Sequence, residues 1–181
     1  MADTQWPRFE VFSQDKKGAP HRNVGSVHAV DPEMALQNAR DVFVRRPQTT
    51  SLWVVPAEKI LAKSRQEINE DPDPKILVEY ETGKSELYLV FQKVSQRPSM
   101  TFVVLTGQVE AFSAADALSR ALDQYGETES YIWWVCPEEA VVRSSNEDIE
   151  SMFTQAHSKK YRMPQEYRLT LEMMELKRRG P

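Results

Sequence analysis

Histidines, a single cysteine and a group of arginines are the residues of this chain best suited to chemistry. Their spacing decides which chemistry is open to them. His21 and His28 stand seven apart in an alternating stretch, so strict strand periodicity sends them to opposite faces, and they cannot share an ion without a bulge. His157 lies far along the chain in a polar region. No His-x-x-x-His or Cys-x-x-Cys spacing offers zinc a ligand set, and no Glu-x-x-His pair offers one to a di-iron centre. The glycines are scattered, which leaves no phosphate-cradling loop. Cys136 stands alone, so no intrachain disulfide can form; a small apolar core residue is its expected role. Arg40, Arg45 and Arg46 fall in or just after the last turns of an expected helix, where they complement its negative C-terminus. With Arg22 they could instead form a basic cluster that grips an acidic partner surface or an anionic ligand. His28 has the same two readings, a hydrogen-bonded sheet residue or an interface contact. No catalytic, cofactor-binding or metal-ligating constellation is expected.

The elements that must position these residues come in two sets. Phe9–Phe12 (FEVF) matches Tyr88–Phe91 (YLVF) at an offset of 79. The segment VGSVHAVDPEMALQNARD, 24–41, matches TGQVEAFSAADALSRALD, 106–123, at an offset of 82. Trp53–Pro56 matches Trp134–Pro137 at 81, and the small shifts fall between elements, where loops absorb insertions. Each set reads β-β-α-β. The first has strands near Phe9–Ser13, His21–Val30 and Ser51–Val55; alternation puts Val24, Ser26 and His28 on one face of the second strand and Asn23, Gly25, Val27 and Ala29 on the other. Asp31 caps the first helix with Pro32 at its first position, and Ser113 caps the second. Pro47 ends the first helix, and Gly126 is expected as the C′ residue of the second. Leu36, Ala39 and Phe43 make the apolar stripe of one helix; Ala114, Ala117, Leu118, Ala121, Leu122 and Tyr125 make that of the other. Pro56 and Pro137 each turn the chain into a short Glu-bearing segment. Trp53 belongs to a core strand, Trp133 and Trp134 must face opposite ways, and Trp6-Pro7 anchors the chain start or a partner.

The expected organisation is a first unit over 1–63, a linker with a possible extra strand (Ile76–Tyr80) over 64–85, a divergent second copy over 86–157, and a tail over 158–181. Within it, Ser144 with Glu147 resembles a capping box, and Ile149, Met152, Phe153 and Ala156 mark an amphipathic helix. Either unit alone leaves a sheet edge and a thin core, so the fold class expected is α+β: two β-β-α-β units packed by pseudo-twofold symmetry, mainly antiparallel, with helices on one face. Such a chain encodes what an unduplicated relative makes as a homodimer, and is itself expected as a monomer.

Apolar content of 40% with 28% charged residues suits a globular protein, and a formal net charge of -4 argues against a nucleic-acid partner. No apolar run approaches 18 residues, the N-terminus lacks the features of a secretory signal, and a single cysteine suits a reducing compartment, so the expected location is cytoplasmic.

The stretches WPRFEVF at 6–12, HRNVGSVHAVDPEMALQNARD at 21–41, RR at 45–46 and SLWVVPAEKI at 51–60 resemble the PaaB family, one of the components of the phenylacetyl-CoA epoxidases, which are multicomponent ring-1,2-epoxidising oxygenases. SKKYRMPQEY at 158–167 is similar to that family's tail. The resemblance implies a cofactor-free accessory protein that contacts a catalytic di-iron oxygenase subunit and its helical structural subunit. Family members are about half this length, and here a divergent second unit lies between the family-like start and tail. The candidate partner contacts are Trp6, His21, Arg22, His28, Arg45 and Arg46 in the first stretch, and Tyr161 and Arg162 in the tail. Two alternatives stand beside this reading: a module in which Arg22, Arg45 and Arg46 receive an anionic group such as a CoA phosphate, and a stand-alone enzyme using Cys136 or His28.

Overall fold

The computed structural model describes residues 6–44, 49–70, 84–95, 102–127 and 129–145, and positions 152, 153, 175 and 178. In chain order the elements are β1 (Arg8–Gln14), β2 (Arg22–His28), α1 (Pro32–Phe43), β3 (Ser51–Pro56), β4 (Leu61–Ser64), α2 (Arg65–Glu70), β5 (Glu86–Lys93), β6 (Val104–Ala111), α3 (Ala114–Tyr125), β7 (Ile132–Pro137) and β8 (Val142–Arg143). Short 3-10 turns, Ala57–Lys59 and Glu138–Ala140, follow the two prolines. All strands lie in one sheet of order β4-β7-β5-β6-β2-β1-β3-β8, and every pairing is antiparallel. The α+β class with a mainly antiparallel sheet is what folds.

Both hairpins pair in the same register. Phe9 pairs with Val27 as Tyr88 pairs with Val109, and both bulge at the same step. Val11 pairs with Gly25 but Phe12 with Asn23, so Val24 is an extra residue; Val90 pairs with Gly107 but Phe91 with Leu105, so Thr106 is. This corrects the strict alternation expected of the second strand. Asn23 leaves the face of Val27 and Ala29 for that of Phe12, while Val24 joins the core under α1. The same step brings His21 and His28 to one face, still separated by roughly 20 Å of strand. Gly25 takes φ +139, and a Cβ there would lie 2.9 Å from the Phe43 ring.

The helix caps follow the sequence. Asp31 Oδ1 accepts from Met34 N at 2.7 Å, with Pro32 at N1. Ser113 Oγ accepts from Asp116 N at 3.1 Å while Asp116 Oδ2 accepts from Phe112 N at 3.1 Å, a reciprocal cap. Helix α1 ends at Phe43, before Pro47, which lies outside the described residues. Gly126 is the C-cap of α3 in right-handed geometry (φ -69), and not the expected left-handed C′ residue. What requires glycine there is proximity: a Cβ would sit 2.2 Å from Leu122 O.

Three apolar clusters divide the core. One lies between α1 and the sheet and includes Phe9, Val11, Val27, Leu36, Ala39 and Val54. A second lies between α3 and the sheet and includes Tyr88, Val90, Val109, Leu118, Ala121 and Trp133. The third, on the opposite sheet face, joins Phe12 and Val55 to Leu89, Phe91, Trp134 and Cys136. Trp133 and Trp134 thus face opposite ways, as alternation requires. Phe12 and Phe91 stack with centroids 4.4 Å apart although β6 and β2 lie between their strands. Three strand spacings are roughly 14 Å in a flat sheet. The rings meet because the sheet coils around this face.

Residues 64–70 are structured where a linker was expected. Ser64 ends β4, and Ser64 N and Oγ both donate to Glu67 Oε2 at 2.7 Å, which starts α2. Strand β4 was not expected from the sequence; the possible strand at 76–80 lies outside the described residues. Four residues carry too little pattern to be legible; the edge of β7 supplies their partners, Leu61 to Val135 through Ser64 to Ile132. Ser144, expected as a cap, extends the β3–β8 pairing: its N donates to Leu52 O at 2.8 Å and its Oγ accepts from Leu52 N at 3.1 Å. Of the expected C-terminal helix, Met152 and Phe153 are described as helical, and Phe153 is buried in the α1 cluster.

Candidate functional site

The residues with chemical capability divide into an interior polar array and an exposed groove, both built mainly from the first β-β-α-β set. In the interior, Asn23 is fully buried beside the bulge. Its Nδ2 donates to Glu10 Oε2 at 3.1 Å and to Val11 O at 3.3 Å, and its Oδ1 accepts from Phe102 N at 3.3 Å. That contact holds Phe102 at φ +65, where a non-glycine residue is strained. Burial raises the pKa of Glu10 above the ordinary carboxylate value, against the hydrogen bond from Asn23 and the charge of Arg8. Arg8 Nε lies 3.4 Å from Glu10 Oε1.

His21 is buried. Its ring stacks on Trp53 at 3.5 Å between centroids and 18° between planes, and Nε2 meets Ser51 Oγ at 3.0 Å. The Arg143 guanidinium lies 5.0 Å from the Trp53 ring centroid and pairs with Glu138 at 2.8 Å. Burial, reinforced by the charge of Arg143, pushes the His21 pKa down to about 4, so the imidazole is neutral near pH 7. Cys136 is buried in the central cluster, and burial pushes its thiol up to about 12. That suppresses the thiolate a nucleophile needs.

The matching places in the second set are apolar. Glu10 corresponds to Leu89, His21 to Val103, Asn23 to Leu105 and Ser51 to Ile132; Arg143, paired with Trp53, corresponds to Ala62, paired with Trp134. Trp134 Nε1 is buried with no hydrogen-bond partner among the described residues. His21 and Asn23, whose counterparts in the second set are apolar, therefore serve the interior.

The outward groove encloses about 720 Å³ between Pro7, Arg8, His28, Pro32, Pro56 and Glu58. Exposed Trp6 stands beside it: His28 Nδ1 lies 2.7 Å from Trp6 O. A carbonyl can only accept, so Nδ1 is the donor to Trp6 O, and Nε2 has no hydrogen-bond partner among the described residues. Asn38 Nδ2 on α1 donates to His28 O at 3.1 Å and fixes the strand end. A second groove, of about 570 Å³, opens where β2 and β6 part, with Arg22, Lys93 and Phe102 in its walls. The Arg22 guanidinium is paired with Asp15. Among the described residues no group of His, Cys, Asp and Glu could hold a metal ion, and no helix is long and apolar enough to cross a membrane.

Of the sequence candidates, the structure brings Trp6 and His28 together, leaves Arg22 exposed in the other groove, and buries His21. Arg45, Arg46, Tyr161 and Arg162 lie outside the described residues, as does His157. Sequence reasoning missed Glu10, Asn23, Arg143 and the groove wall at Pro56 and Glu58. A position-by-position comparison of the two copies would have flagged Glu10, Asn23 and Arg143, whose counterparts Leu89, Leu105 and Ala62 are apolar; Pro56 and Glu58 match Pro137 and Glu139 and carry no such signal.

A family model described as "Phenylacetic acid degradation B" (PaaB) matches residues 5–80 and 84–174. The B component of the 1,2-phenylacetyl-CoA epoxidase of Escherichia coli (strain K12) is 49% identical over 74 residues, which cover 41% of this chain and 78% of that protein. No solved structure matches the chain.

Proposed function

This chain belongs to the phenylacetic acid degradation B family, and from that membership we infer that it is a non-catalytic bridging subunit of a phenylacetyl-CoA epoxidase in phenylacetate degradation. It acts through protein contacts with the catalytic di-iron subunit and its helical companion. The observation that carries the reading is the 49% identity to a component of that epoxidase, over most of the component's length. The site chemistry supports it. His21 and Cys136 are withdrawn into the core, and Arg22 is tied to Asp15. The aromatic and basic side chains left at the surface, Trp6 and Arg8 with His28, suit an interface.

The two β-β-α-β sets are read as a duplicated unit packed about a pseudo-twofold axis near the Phe12–Phe91 stack. Exchanging β1–β4 for β5–β8 turns the strand order into its own reverse. Each set lends its last strand to the other, β4 to β7 and β8 to β3. The first unit then runs through β4, and the second through β8.

The experiment is reconstitution. The purified oxygenase subunits and reductase are assayed for phenylacetyl-CoA-dependent oxygen consumption with and without this chain. Activity that requires the chain, together with a chain that is iron-free and inactive alone, is expected. Full activity without it, or stoichiometric iron in the isolated chain, would overturn the reading.

A further inference from the structure

The positions that line the Trp6 groove have counterparts in the second β-β-α-β set, and the two sets of residues differ in charge. Arg8 corresponds to Leu87 and His28 to Glu110, and in each hairpin the two residues are direct cross-strand partners. Pro7 corresponds to Glu86 and Trp6 to Ser85. After the shared proline, Ala57 and Glu58 correspond to Glu138 and Glu139. At the first end Arg8 faces Glu58 in the groove wall and Glu10 beneath it. The second end carries four carboxylates, of which Glu138 alone has an ion pair among the described residues. Glu86 and Glu139, with Asp116, lie close enough to Tyr88 to raise its pKa further beyond the effect of burial.

We propose that the Trp6 groove docks an acidic segment of a partner oxygenase subunit, and that the carboxylates of the second end bar the same segment there, so that the chain is a one-ended adaptor. The inference rests on the accessory-subunit reading above and adds the binding end and the chemistry of the partner. Three features choose this occupant. Trp6 is 54% exposed and precedes the proline-lined groove, with its carbonyl held by His28, and an exposed Trp is the kind of aromatic anchor that carries binding energy in interfaces. Arg8 keeps 57% of its side chain exposed while Glu10 orients the guanidinium from beneath, ready for a carboxylate. A basic segment would prefer the other end, because like charges brought together across an interface suppress binding.

The test uses the full chain and the purified oxygenase subunits, with native mass spectrometry for stoichiometry and titration for affinity. One partner copy per chain is expected. Arg8→Glu and Trp6→Ala each weaken binding by ~10-fold or more, Trp6→Ala with the thermal midpoint of the free chain unchanged, and the wild-type affinity falls as salt rises. A variant carrying Glu86→Pro, Leu87→Arg and Glu110→His gains a second partner copy. Two partner copies on the wild-type chain, unchanged affinity in Arg8→Glu, or tighter binding in Arg8→Glu overturns the one-ended acidic proposal and leaves the accessory-subunit reading standing. No association of the wild-type chain with any oxygenase subunit sinks both.

Discussion

Phe12→Ala strikes the point where the two β-β-α-β sets meet. Phe12 is fully buried, stacks on Phe91 at 4.4 Å and meets the edge of Trp134 at 6.3 Å. Truncating a buried Phe costs about 3–5 kcal/mol, the transfer of the ring plus the cavity it leaves. Of this, about 0.5–1.5 kcal/mol belongs to the aromatic pair itself. Phe91→Ala removes the same pair from the other side, so the double variant costs less than the two single losses added, by about that coupling. Urea unfolding followed by far-UV circular dichroism and by tryptophan fluorescence reads all three variants. The wild type and each variant are expected to unfold in one transition on which both probes agree. A loss below about 1 kcal/mol for Phe12→Ala, a coupling of zero, or two separated transitions would refute the reasoning. Each of those outcomes means that the inner face of the coiled sheet does not unite the two sets.

Other perturbations test the polar interior and the backbone. The folded-state pKa of His21 is depressed from 6.5 to about 4, so the stability it contributes is present above about pH 6.5 and is lost as pH falls toward 4; the most it can remove is about 3 kcal/mol. His21→Val, which copies Val103, should flatten that acid-side loss in urea midpoints measured at pH 7 and pH 4.5. Glu10 works in the opposite sense: its raised pKa gives a contribution present below its ordinary value of 4.5 and lost as pH rises through the folded value. Glu10→Leu and Asn23→Leu each strand a buried partner and are expected to cost about 1–3 kcal/mol, whereas the double variant, which copies Leu89 and Leu105, costs less than either in the same assay. Gly107→Ala places a Cβ 2.2 Å from Tyr125 Oη and displaces its 3.2 Å bond to Gln108 O; a loss of about 1–3 kcal/mol is expected by thermal denaturation, and an unchanged midpoint would show that Tyr125 moves freely.

Local interactions were legible in the sequence because the residues that make them are neighbours. The caps at Asp31 and Ser113, the turns after Pro56 and Pro137, the helical stripes and the opposed tryptophans could each be read within a dozen residues. The repeated β-β-α-β order was legible for the same reason, as matching short stretches. Strand β4 and helix α2 were not, because their pairing and packing partners lie far along the chain. Nor was the bulge at Val24 legible, and that single step moved Asn23 to the other face.

The sequence by itself determined that this chain holds two β-β-α-β patterns, which residues could bear charge, and which family it resembles. The tertiary structure decided where those charges went. The coiling of one sheet over Phe12 and Phe91 made an interior of the face carrying Glu10, His21 and Asn23, where low polarity shifts pKa values and hydrogen bonds must be satisfied. It left Trp6, Arg8 and His28 at the rim, where water solvates charge and a partner can reach it. Burial is a property of long-range packing, and no local pattern of residues encodes it.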